Sequence, residues 1–162
     1  MALPVPALQP GEYRALTWFD AVPLDCGTVP VEDDRFAPHL KAGELAVIDP
    51  DDCEPIAGEI FVVRITSPAR PEGYRLRIVQ LRTKVCNVGT EQVEGKWLYA
   101  EALTWWMHFS LIKPRLELLR GYGTIEEALA NPSNLSLCDG PLLTDGMRKY
   151  IVGRVIGFME GR

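Results

Sequence analysis

Histidine is scarce in this 162-residue chain, with two in all, and its four cysteines (Cys26, Cys53, Cys86, Cys138) are scattered with no C-x-x-C spacing. Zinc-type sites need such ligands gathered at short spacing, so no metal and no other cofactor is expected. The cysteines read instead as the reduced thiols of a cytoplasmic protein. No apolar run approaches the roughly 20 residues that span a bilayer, which excludes a membrane role at this level of reading. The first ten residues hold three prolines and no basic stretch, so they do not read as a signal peptide. Phosphate-cradling loops are missing too, because Gly121-Tyr122-Gly123 lacks a following lysine. There is no G-x-S-x-G elbow, and His39 and His108 fall in no nucleophile-activating pattern. Positive charge is also short. The net charge of −5 and pI near 5.1 argue against direct nucleic-acid binding.

What the chain does hold is 47% hydrophobic and 24% charged residues, enough for one domain with a real core. Residues 1–27 read as an N-terminal arm, Pro-rich over 1–11 and apolar enough to pack over Tyr13–Leu24, and 28–162 as the domain. Thr28-Val29-Pro30-Val31 is a short strand, and Pro30 marks it as an edge. The acidic run Glu32-Asp33-Asp34 reads as a solvated turn. Turn-rich Pro38 to Gly43 then delivers the strand Glu44–Ile48, and Gly58 precedes a second strand, Glu59–Ile65. Gly43 and Gly58 sit where a tight turn needs positive φ. Ser67–Gly73 reads as a hairpin loop, and Tyr74–Leu81 alternates as a third strand. Six basic residues and one acid lie between Arg64 and Lys84. Asn134–Gly146 is turn-rich, and Met147–Met159 closes the chain as a strand.

The segment Asp33 to Leu45 resembles the active-site turn of the LexA-type serine–lysine peptidases, relatives of bacterial signal peptidases. That family carries G-D-S-M-x-P-x-L-x-x-G-D-L and later G-D-x-V-V-V. Asp34, Pro38, Leu40, Gly43 and Leu45 fall on the first pattern, with Glu44 for its second Asp and Asp33 for its first Gly. Gly58-Glu59-Ile60 continues it, and Tyr150 to Gly157 resembles the family's closing I-x-G-R-V-V strand. The likeness covers roughly residues 28–82 and 134–158. It implies a mainly β, coiled β-ribbon fold and a homodimer, with family members often pairing through the closing strand. It also implies a cleft that holds an extended peptide, here Asp34, Arg35, Phe36, Pro38 and Arg77.

The chemistry of the family does not carry over. Its nucleophilic Ser position holds Arg35, and its Lys position aligns with Val79; a slipped strand would bring Arg77 or Lys84 there instead. A guanidinium is no nucleophile and stays charged, and neither slip restores a Ser. The serines (Ser67, Ser110, Ser133, Ser136) lie far from the turn in sequence. No catalytic residue is therefore expected. Arg35 suits capture of a peptide carboxylate, or else pairs with Asp33, Asp34 or Glu44 at the surface. Cys26-Gly27 matches the family's Cys-Gly cleavage dipeptide but reads as a turn.

Residues 86–131 change character. Leu98, Ala102, Trp105, Phe109 and Ile112 recur at helical spacing, and Thr124 with Glu127 forms a capping box, so a helical insertion is expected over about 96–131. Trp97, Trp105 and Trp106 either cover the flank of the β core or form an exposed docking surface for a partner. The expectation for function is a catalytically inactive LexA-like domain, a binding and dimerisation module of the kind used in phage or stress-response regulation. The alternatives are a self-cleaving peptidase using Cys26 or Cys53, and a transcription regulator acting through a DNA-binding partner. About 28 residues precede the likeness, too few for a DNA-binding domain of the chain's own.

Overall fold

The computed structural model describes residues 15–67, 70–111 and 138–161. Their architecture is mainly β, as expected. Strands β1 (Thr17–Trp18), β2 (Gly27–Pro30), β3 (Glu44–Asp49), β4 (Ile60–Ser67), β5 (Arg70–Val93), β6 (Lys96–His108), β7 (Cys138–Leu142) and β8 (Ile151–Glu160) form one sheet, and helix α1 (Thr144–Tyr150) precedes β8. The order is β2-β3-β8-β4-β5-β6-β7, all antiparallel, with β1 parallel to β8.

The closing strand is thus the middle of the sheet. β3 runs beside its residues 154–160, β4 beside 151–154, and β1 beside Gly157 and Phe158. Described strands therefore lie along both edges of β8. Thr17 and Trp18, placed in the arm by the sequence, are stitched into the domain. The Trp18 ring meets Phe158 edge-on at 5.3 Å between centroids.

Two apolar cores form because β4 and β5 alternate. Ile60, Val62 and Ile78 join Val29, Phe36, Leu40, Ala46 and Phe158 in one cluster. Phe61, Val63, Val79 and Leu81 join Trp105, Met107 and Met147 in the other. The first is covered by the turn after β2, which brings Phe36 and Leu40, and the second by α1, which brings Met147.

Several local readings hold. Gly43 and Gly58 adopt φ of +88° and +92°. Asp33 and Asp34 are exposed and shape their turn through their side chains: Asp33 accepts from the Arg35 N–H at 3.0 Å and Asp34 from the Ala42 N–H at 2.8 Å. At Cys26 the chain does turn, with Asp25 at φ +63° and the Cys26 N–H donating to the Pro23 carbonyl.

Two readings are corrected. Residues 96–108 are strand β6, not helix, while 112–131, the rest of the expected insertion, lie outside the described residues. The apparent helical stripe was one of two periodicities in the segment. Leu103, Trp105 and Met107 alternate on the strand, and thirteen residue pairs with β5 decide in favour of the sheet. Met147–Tyr150, expected as strand, complete the last turn of α1, and the strand starts at Ile151.

Candidate functional site

Beyond Leu81 and Met107, β5 and β6 leave the body as a two-stranded ribbon closed by Glu94-Gly95. Positive φ at both residues, +51° and +76°, gives the turn whose twist suits a two-residue hairpin. Cross-strand pairing puts Met107, Trp105, Leu103, Glu101, Tyr99 and Trp97 on one face, with Glu101 the one charge among them. That row starts in the core and ends in solvent: Trp105 is 8% exposed, Tyr99 66% and Trp97 60%. The three tryptophans therefore form no single surface. Trp105 is a core residue whose Nε1 donates to Thr144 Oγ1 at 3.0 Å. Trp106, on the opposite face, is half-buried and donates to Thr104 Oγ1. Among the three, Trp97 is the exposed one.

The expected cleft takes shape at the other end of the sheet. A groove of about 840 Å³ is lined by β2 and the residues after it (Thr28 to Asp33, Arg35, Phe36) and, opposite, by Arg75 to Ile78, with Ile65 and Phe109 between. Of the five residues expected there, Arg35, Phe36 and Arg77 line it, with Phe36 as buried floor. Asp34 and Pro38 do not; the Asp34 carboxylate turns back to the Ala42 N–H. Sequence reading missed Thr28, Glu32, Arg75 and Phe109. The alternation of Arg75 with Arg77 was a usable signal, but the approach of β2 to β5 was not visible.

β2 is a sheet edge, as Pro30 led one to expect. Val31 gives its N–H to Glu44 and takes that of Gly43, so its backbone faces β3. Backbone groups alternate along a strand, so Thr28 directs its N–H and C=O away from β3, and Pro30 directs its C=O the same way. These groups stand at the groove wall.

The charged groups there are held loosely. Arg35 Nε lies 3.2 Å from Asp33 Oδ2, and Arg77 Nη1 lies 3.4 Å from Glu32 Oε2, each pair about half exposed or more. No described carboxylate pairs with Arg75.

The resemblance assigns its dyad positions to Arg35 and Val79. Arg35 is a surface cation in its ion pair, and Val79 is fully buried opposite Phe61. Among the described residues the groove's lining contains no Ser, Cys, Lys or His. Ser110 is nearer in space than in sequence, because the next residue, Leu111, donates its N–H to the Arg35 carbonyl at 3.0 Å. Burial first, then nearby carboxylates with Asp49 and Asp51 common to both, pushes the Cys26 and Cys53 thiols up, which lowers the thiolate fraction of each. The Cys53 thiol also donates to the Pro50 carbonyl. Among the described residues no group of His, Cys, Asp and Glu could hold a metal ion, and no helix is long and apolar enough to cross a membrane. Comparison of the chain with family models, curated proteins and solved structures returned no match in any of the three.

Proposed function

We propose that the chain is a catalytically inactive relative of the serine–lysine peptidases, working as a binding and assembly module that holds an extended peptide along the edge of β2. The observation that carries this reading is the groove itself: a backbone donor and two acceptors, at Thr28 and Pro30, face no described strand and stand beside a wall of arginine and apolar side chains. An added strand gains affinity from such backbone groups and specificity from side chains facing the wall. Pro30 has no N–H, so it limits how far a regular ladder can extend and protects the edge from indiscriminate pairing.

Inactivity is supported by the chemistry of the lining. Arg35 and Val79 occupy the dyad positions by the resemblance, and neither a charged guanidinium nor a buried valine can attack a carbonyl or accept a proton. The raised Cys26 and Cys53 thiols weigh against a cysteine peptidase. The assembly role draws its support from the ribbon, whose Leu103, Tyr99 and Trp97 stand exposed in a row. Large aromatic side chains in that setting suit a protein partner, including a second copy.

A fluorescent peptide of alternating Val and Thr, titrated into protein and into Thr28→Pro, tests the groove. Removing the Thr28 N–H is expected to weaken binding about tenfold, the worth of one or two backbone hydrogen bonds, while the far-ultraviolet spectrum stays unchanged. Unchanged affinity, or cleavage of the peptide, would refute the reading.

A further inference from the structure

We infer that the peptide held in the groove carries a carboxylate, received by Arg75 and Arg77; the inference rests on the reading of the groove as a peptide site. Among the described residues three cations (Arg35, Arg75, Arg77) and two anions (Glu32, Asp33) line the groove, a local excess of positive charge on a chain whose net charge is −5. Lining anions are each matched to a cation, Asp33 to Arg35 and Glu32 to Arg77. Arg75 is left over, with no described carboxylate as its partner.

The existing pairs do not block a ligand. Each joins one guanidinium nitrogen to one carboxylate oxygen in a half-exposed setting, where such contacts stabilise little and exchange readily. A guanidinium has five N–H donors, so Arg77 can keep Glu32 and still present N–H groups to an incoming carboxylate. Arg75, two residues away on the same strand, adds a second fork. The backbone edge and the arginines act together. Thr28 pairs with the peptide main chain, and the carboxylate fixes its register against the opposite wall.

The carboxylate has two sources, an acidic side chain or a chain terminus, and three labelled probes separate them. One is the amide of Thr-Val-Thr-Glu-Val; a second replaces its Glu by Gln; the third is the Gln peptide with a free C-terminal carboxylate. At least one carboxylate-bearing probe is expected to bind about tenfold more tightly than the Gln amide. Arg75→Gln is expected to erase that advantage, and Glu32→Gln, which removes the competing acid, to enlarge it. Whichever carboxylate probe leads identifies the source. Equal affinity of all three probes would overturn this inference and leave the peptide groove standing. Failure of all three to bind would overturn the peptide reading itself, and this inference with it.

Discussion

The centre of the sheet and the end of the β5–β6 ribbon are built from similar strands and live under opposite conditions. β8 has strands on both edges and apolar clusters against its side chains, with Val155 and Phe158 buried in one and Ile151 in the other. Near its turn the ribbon has one partner strand, and Val93, Trp97, Leu98 and Tyr99 are exposed. Its register is held by backbone pairing and a tight turn, while the centre is held by packing. Burial explains the apolar residues of β8. Burial does not explain Trp97 and Tyr99, whose side chains are mostly exposed.

That contrast can be broken or sharpened by substitution, starting where the effect is greatest. Phe61→Ala empties the largest fully buried side chain. It should cost about 3–5 kcal/mol in chemical denaturation, and a loss below 1 kcal/mol would mean that this core is loose. Gly157→Ala comes next, because a Cβ there would collide with the Phe19 ring and the Thr17 carbonyl oxygen. A loss of about 1–3 kcal/mol is expected, with β1 displaced from β8.

His108 gives a smaller, pH-dependent effect at the border between the regions. Burial, and then the nearby Arg82 charge, hold its pKa below the ordinary 6.5, so the fold favours the neutral ring. The unfolded chain takes up this proton first, so stability falls as pH drops below about 6.5 toward the folded value. His108→Gln should flatten that part of the stability profile; an unchanged slope would show that the histidine titrates alike in both states. Smallest of all, Trp97→Thr should change stability by about 0.5 kcal/mol or less, since the indole is largely exposed and Thr suits a strand. If it weakens self-association or partner capture while the fold is untouched, the ribbon's role in contacts is supported. A large stability loss would place Trp97 with the core instead.

How much of this was legible follows the range of the interactions involved. The glycine turns at Gly43 and Gly58, the edge marked by Pro30 and the alternation of Tyr74–Leu81 depend on neighbours a few residues away, and all could be read in order. The ribbon could not. Trp105 belongs both to the strand alternation of Leu103 and Met107 and to the helical spacing of Leu98, Ala102 and Phe109, and only pairing with Thr83, more than twenty positions back, selects the strand. The groove divides the same way. Arg35, Phe36 and Arg77 were named from the turn and the alternating strand. Arg75 and Thr28 gained meaning only when β2 came to face β5, across more than forty residues.

Hydrogen exchange at the Thr28 amide, with and without the carboxylate peptide, tests the central claim most directly. In the free protein this N–H faces away from β3 and should exchange rapidly. The account predicts that the peptide protects it, that protection is lost in Arg75→Gln at the same peptide concentration, and that the peptide is recovered intact. Unchanged exchange at Thr28 under saturating peptide, or recovery of a cut peptide, would contradict it.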